Sequence, residues 1–551
     1  MKSRYILYTL CALAIAGCSF LEERIESSST PGSYYKTEIQ CRSGLNGCYV
    51  PMRNVFSSRS FFWLTEAQGD LLYTEQADQY DGILQVTQSQ PQYGATVWKE
   101  CYTGIMRCNS MYDAITRAPF TDGKEALLAE CTVLRAMYWY LLTCTFGDVP
   151  YYEVPVTEEN NDSIARLPRE RAAVIRDRQI SALDNAIMVS RALPFEKTYS
   201  PSNGGQYRMG AAAGLMLAGK LCMWEKRWGE AIVYYSRLED IYGDLSQYPV
   251  SDSKFRNKYT GESVWEIPFM SGDYSLQVFH NLSTICIPTH TSTFVTGDEE
   301  NYDNANDIYA GIAVPELGFY ARNNTPTRPT RKLYNSATGL LPYNAGAGDL
   351  RACSSNSTGD IEGGGGSLAW GWMGWKPDED RTTVQRHWNW FSGMSSQSRP
   401  YLGDKFWCYD MRYQSDCNNL KVFRYAGAVL DLAEASLEQG DPADAVKYLN
   451  YVKQRAGTAL FDQSLGEDAL MEEIRNESGR ELLGEFQRKF NLVRWGIWYE
   501  TVRESREGNN VSQSNFLANM RPCHRYYPIP SEQITYSGGA LSNPEYEKYG
   551  K

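Results

Sequence analysis

The sequence predicts a mainly α protein in which pairs of helices form a scaffold packed against an irregular, loop-rich half with a few short strands. Three observations predict it. Apolar residues recur at steps of three and four in several stretches of a dozen or more residues, as one face of a helix requires. Some of these stretches are joined by very short polar turns, so consecutive helices must lie side by side. From Ser271 to about Asn419 no sustained helical or alternating period survives. So long an irregular stretch inside a compact protein is usually functional.

The elements follow in chain order. A helical run begins near Thr37 and continues through Tyr49. The segment Phe61-Phe62-Trp63-Leu64 and on to Tyr80 is polar and aromatic without a clear period, and reads as an irregular surface segment. Trp98 to Ile115 is helical again. Glu125 to Tyr140 is a longer helix whose Leu128, Cys131, Leu134, Tyr138 and Leu142 keep the period. Gly147 can stop it by turning left-handed, and Pro150 cannot continue it. Ala211 to Glu225 and Trp228 to Leu238 form one helical pair. Phe423 to Glu438 and the helix from Pro442 to Gly457 form another, with Asp441 as N-cap and Pro442 at the first helical position. Both pairs look like tetratricopeptide units, which bury their faces only against neighbours. Ser263 to Met270 reads as a strand.

The stretch Glu477 to Trp495, ESGRELLGEFQRKFNLVRW, reads as one clamped helix. Leu482, Phe486, Phe490 and Val493 would share a face. Glu477, Glu481 and Glu485 fall on successive turns, with Arg480 and Arg488 within pairing reach. Its carboxylates fit either a buried scaffold or a catalytic pair.

The N-terminus predicts an address. Lys2 and Arg4 precede an apolar stretch of about a dozen residues, the size of a signal-peptide core and too short to span a bilayer. Ile15-Ala16-Gly17-Cys18 then looks like a lipobox, which makes Cys18 the lipidation site and 1–17 the leader. Residues 18–36 form the lipidated end and a polar tether. Glu22 and Glu23 are similar to acidic signals for surface export. Several acyl chains on one residue anchor stably, so a membrane-anchored position is expected, and the acidic pair points to the cell surface.

Net charge is −12, and no basic run interleaved with aromatics points to nucleic acid. Four His, none at zinc-ligand spacing, and no CxxC give no metal site. Cys41/Cys48 and Cys101/Cys108 are each seven residues apart. On a helix that is roughly 10 Å of rise, too far for a disulfide and suited to small residues on one buried face. No GxSxG, HExxH or P-loop occurs, and no cofactor is implied.

Aromatic residues are abundant, with 39 Tyr and 14 Trp. Trp370, Trp372, Trp375, Trp388, Trp390 and Trp407 crowd a short part of the irregular half, just after Gly363 to Gly366. Sugars stack their C–H faces on such rings, while their hydroxyls seek Asn, Asp, Arg and Gln. Trp370, Trp372, Trp375, Trp388 and Trp390 are therefore candidate ligand contacts. Trp63, Gln68, Asp70, Tyr73 and Tyr80 make a second candidate group. Internal packing of the irregular half accounts for the Trp cluster equally well.

The spelling of Glu477–Trp495 resembles the C-terminal signature of the SusD/RagB family, surface nutrient-binding lipoproteins. The pattern E-x-x-R-E-L-x-x-E-G-x-R-x-x-D-L-x-R-W is matched at Glu477, Arg480, Glu481, Leu482, Glu485, Arg488, Leu492, Arg494 and Trp495. Phe486 replaces its Gly and Asn491 its Asp. Tyr527-Pro528-Ile529-Pro530 with Asn543-Pro544-Glu545-Tyr546 is similar to the family's closing motif, with Glu545 in place of Gly. LRAMYWYLLTCTFGDVPYY resembles its R-A-x-x-Y…F-G-D-V-P motif. The resemblance implies an N-terminal part at 37–262 and a C-terminal part at 263–551, the latter with a ligand-binding region at 263–420 and closing helices at 421–551, together one compact unit. It also implies capture of oligosaccharides without turnover, and delivery to a SusC-like TonB-dependent transporter that the protein caps as a lid. RagB-like oligopeptide binding is the alternative, and an extracellular glycoside hydrolase a weaker one.

Overall fold

A computed structural model describes residues 34–74, 94–191, 193, 208–269, 280, 282, 327–329, 332, 349–351, 370–371, 401–402, 404–406, 416–506 and 517–549. Helix α1 (Glu38–Phe56) opens with a reciprocal cap. The Thr37 hydroxyl accepts from the Gln40 N–H at 3.3 Å, and the Gln40 side chain accepts from the Thr37 N–H at 3.0 Å. Strand β1 (Leu72–Thr74) falls between α1 and α2 (Gly94–Arg117) in the chain. Cys41, Leu45, Cys48, Met52 and Val55 form the buried stripe of α1 against α2 and α3 (Lys124–Phe146). Cys41, Cys48, Cys101 and Cys108 are all fully buried and form no disulfides. Gly104 allows the tightest contact here, because a Cβ at that position would stand 2.1 Å from the Tyr138 ring.

Helix α3 is buried on every face from Ala129 to Phe146, so it is the axis of the N-terminal part. It ends at Gly147, whose φ of +73° lets the chain turn into β2 (Val149–Pro150). That strand pairs with β3 (Arg169–Glu170), which leads into α4 (Ala172–Asp184).

The two expected helical pairs form as α5 (Ala211–Trp224) with α6 (Trp228–Tyr242), and α7 (Tyr425–Glu438) with α8 (Pro442–Arg455). The Asp441 carboxylate accepts from the Asp444 N–H at 3.0 Å, with Pro442 at the start of α8, as its cap position requires. The pairs meet through α6 and α7. Tyr235 donates to Asp431 at 2.6 Å, Lys220 lies 2.8 Å from the same carboxylate, and Tyr242 stacks on Tyr425. Between the pairs in the chain come β4 (Ser263–Ile267) and three shorter strands, β5 (Thr327–Pro329), β6 (Trp370–Gly371) and β7 (Tyr401–Leu402). Strand β4 runs antiparallel to β8 (Leu420–Arg424), and every residue of both is buried. One large core cluster runs from Cys41 to Tyr546, and a smaller one gathers Tyr73, Leu492, Trp498, Val502 and Met520.

Two expectations are corrected. Glu477–Trp495 is two helices, α9 (Glu467–Glu481) and α10 (Arg488–Arg494). Between them Gly484 and Phe486 both take left-handed φ, +74° and +62°. The Glu66 carboxylate, from a distant part of the chain, accepts from the N–H groups of Gly484 (3.1 Å), Gln487 (2.9 Å) and Arg488 (3.3 Å). It supplies the acceptors that the break would otherwise leave wanting. Phe486 stands where the family pattern has Gly, and its ring lies against Phe56, Phe61 and Phe62 at 5.2–5.8 Å. Nor is the described part of the second stretch, Phe61 to Thr74, a surface segment. Trp63–Ala67 is a π-helical turn, and Phe61 to Glu66 and Gln68 to Tyr73 are buried. Its period is missing because polar and apolar residues alike face inward.

Candidate functional site

The signature carboxylates sit in a buried lattice of charge. Glu477 pairs with Arg351 at 2.6 Å and Arg480 at 2.8 Å. Glu481 meets Arg351 and Arg424 at 3.0 Å, and also Arg455. Glu485 meets Arg424 at 2.7 Å and Lys405 at 2.6 Å, while Glu262 accepts from Arg424 and Arg455. Burial alone would raise these carboxyls. The guanidiniums outweigh it, holding Glu477 at about 2 and Glu481 well below the usual range. Carboxylates held so firmly ionised do not serve as general acids. Arg488 goes not to Glu485 but to Asp70.

Two further buried groups are shifted the other way. Burial raises Glu66 to about 7 against its three backbone donors, and lowers Lys489 to about 7. The Lys489 ammonium donates to Gln68 at 2.7 Å and lies 4.8 Å from the Tyr527 ring centre and 5.4 Å from that of Trp498.

The early candidate group is inside the protein. Trp63, Gln68, Asp70 and Tyr73 are 5, 4, 0 and 8% exposed. Gln68 holds Tyr527 and Lys489 through its side chain and Trp498 through its carbonyl. Asp70 takes both arms of Arg488, at 2.7 and 2.8 Å, and Lys332 at 2.8 Å. Tyr73 faces the Arg506 guanidinium. These polar groups are spent on internal partners, so in this structure none presents a face to a ligand. Each partner comes from far along the chain, and no local signal announces it. Cys18, Tyr80, Trp372, Trp375, Trp388, Trp390 and Trp407 lie outside the described residues, and Trp370 is placed by its backbone alone.

The strands nevertheless bring the two candidate segments to one corner. β1 pairs antiparallel with β5, Tyr73 opposite Arg328. β5 lies against β7, and β7 pairs with β6, Trp370 opposite Leu402. The early segment and the head of the Trp-rich segment thus converge through pieces of two and three residues, too short to leave any period in the sequence.

A cleft of about 430 Å³ lies elsewhere, where two of the signature motifs meet: Phe146-Gly147-Asp148 and the Tyr526–Tyr546 stretch. The Tyr527 N–H donates to the Thr145 carbonyl at 2.8 Å. Arg169 donates to the Asp148 carbonyl at 2.8 Å and the Ser542 carbonyl at 3.0 Å. Asn543 exchanges two hydrogen bonds with the Ile529 backbone. Motifs far apart in sequence are therefore stitched to each other. Glu545, at the family's Gly position, pairs with Arg525 at the half-exposed rim. Among the described residues no three His, Cys, Asp or Glu stand close enough to hold a metal ion, and no helix is long and apolar enough to cross a membrane.

Comparison with known proteins agrees with this architecture. The family model described as "SusD family" matches residues 395–546, and one described as "Starch-binding associating with outer membrane" matches 20–186. A SusD-like protein of Formosa agariphila is 23% identical, the match covering 96% of each chain. A SusD superfamily protein from Bacteroides vulgatus superposes with a TM-score of 0.65 at 17% identity, over 91% of this chain and 98% of that one. Surface glycan-binding protein A from Bacteroides thetaiotaomicron, solved in complex with laminarihexaose, gives 0.63 at 17% identity over 92% and 99%. The helical-pair scaffold, its signature motifs and these matches agree on one class of protein, the SusD/RagB family, two of whose models match the chain at 20–186 and 395–546.

Proposed function

We propose that the protein is a cell-surface lipoprotein that captures oligosaccharides and delivers them to a SusC-like TonB-dependent transporter, over which it acts as a lid. Lipidation at Cys18 would hold it to the outer membrane. The observation that carries the reading is the β1–β5–β7–β6 corner, where the scaffold meets the head of the Trp-rich segment. The rings from Trp370 to Trp390 supply the stacking surface, and Trp63, Gln68, Asp70 and Tyr73 support it from inside. The glycan-bound relative and the family description support a carbohydrate ligand. Binding occurs without turnover, in keeping with signature carboxylates locked as anions.

Calorimetric titration of the full-length protein in detergent tests this, using laminarihexaose, maltohexaose and a peptide mixture. One glycan is expected to bind and to be recovered intact. Trp372→Ala or Trp390→Ala should weaken it about 5- to 150-fold, since a stacked ring is worth roughly 1–3 kcal/mol. Heat from peptides alone would move the protein to the RagB-like class. A shortened glycan would make it a hydrolase.

A further inference from the structure

The burial of Asp70 gives it a different task from ligand contact. Asp70 stands two residues before β1, fully buried, and Arg488 grips both of its oxygens from α10. Arg488 is itself fixed, donating to the Arg475 carbonyl at 2.9 Å. Lys332 lies three residues beyond β5 and brings its ammonium 2.8 Å from the Asp70 Oδ2, with its side chain 9% exposed. One carboxylate is thus held by the helical scaffold on one side and by the irregular half on the other. Burial would raise the Asp70 pKa, but the two cations outweigh it and keep the group ionised.

The tie matters because the strands it accompanies are weak. A two-stranded pairing three residues long is marginal by itself. β1 and β5 pair over three residues, and β6 and β7 over two. A buried charge pair beside the first of these pairings fixes where β5 sits, and β5 supports β7. We propose that Asp70 and Lys332 are positioning residues for the glycan site: a buried ion pair that holds the β1–β5–β7–β6 corner against the scaffold without touching ligand. The inference rests on the reading of that corner as the site.

Lys332→Met is the informative variant, because Asp70 keeps Arg488 as a partner. Amide hydrogen exchange and calorimetry with laminarihexaose and maltohexaose would be measured on full-length wild type, Lys332→Met and Lys332→Arg. In Lys332→Met, exchange should quicken at 327–328, 370–371 and 401–402 while α5 to α8 stay protected. Glycan affinity should fall about tenfold if the correctly placed corner drops to a tenth of the population. Lys332→Arg should restore both. Asp70→Asn should lose more, since Arg488 is then left without its anion. Unchanged exchange in Lys332→Met overturns the inference. So does faster exchange spread evenly over α5 to α8, which marks a general stability role, or faster exchange at the corner with unchanged affinity. If wild type binds neither glycan, the reading of the site fails, and the exchange data alone decide whether the pair holds the corner.

Discussion

Glu481 and Asp70 are both buried carboxylates, but they are held differently. Glu481 meets three guanidiniums, from Arg351, Arg424 and Arg455, and two of these also bind Glu262. Asp70 meets one guanidinium from α10 and one ammonium from beyond β5. Around Glu481 the lattice ties β8, α8 and α9 to one another many times over. Around Asp70, among the described residues, the Lys332 ammonium reaches across from beyond β5. Buried ion pairs contribute little net stability because desolvation offsets their attraction, yet removing one partner is costly. The scaffold is therefore fixed by redundancy, whereas the proposal makes the corner sensitive to the Asp70–Lys332 pair.

Substitutions should expose that difference. The largest effect belongs to Arg424→Met, which strips cations from Glu262, Glu481 and Glu485 together. It should cost about 3–5 kcal/mol in urea unfolding, as breaking a buried pair does. A loss below about 1 kcal/mol would show the lattice to be less coupled than its geometry.

Acid should act on the same lattice. Glu477 is depressed from 4.5 to about 2. Between those values the unfolded chain binds the proton more readily than the folded one, so stability is full above about 4.5 and falls as pH drops toward 2. The loss from this group is about 3 kcal/mol. In Glu477→Gln the acid limb of the stability curve should be shallower by that amount. Lys489 acts in the same sense at higher pH. Depressed from 10.5 to about 7, it makes stability rise as pH climbs through that window. Lys489→Met should flatten the rise.

Phe486→Gly restores the family's residue at a left-handed position. Relief of strain gains about 1–2 kcal/mol, while loss of a ring packed on three others costs about 3–5 kcal/mol. Packing wins, and a net loss of about 2 kcal/mol is expected in urea unfolding. Glu545→Gly breaks only an exposed pair with Arg525 and should change stability by no more than about 1 kcal/mol.

The scaffold was legible in sequence because its signals are local. Thr37, Asp441 and Pro442 mark helix starts by their own chemistry, and α6 and α8 carry a helical period on one buried face. The break at Leu482–Gln487 was not legible, because Glu66 makes it from more than four hundred residues away. The same holds for the buried group: Trp63, Gln68, Asp70 and Tyr73 read as surface until Lys489, Arg488, Lys332 and Arg506 are seen to come to three of them. Of the site itself, the Trp-rich segment stood out by composition. The corner did not, since β5, β6 and β7 are too short to register.

The most direct test of the division between scaffold and corner is hydrogen exchange of the full-length protein with and without laminarihexaose or maltohexaose, whichever binds. The account predicts that added glycan slows exchange in β5, β6 and β7 and in the chain between Trp370 and Leu402, with α5 to α8 unchanged. Slowing confined to α5 to α8, or to the cleft between Asp148 and Glu545, would contradict it.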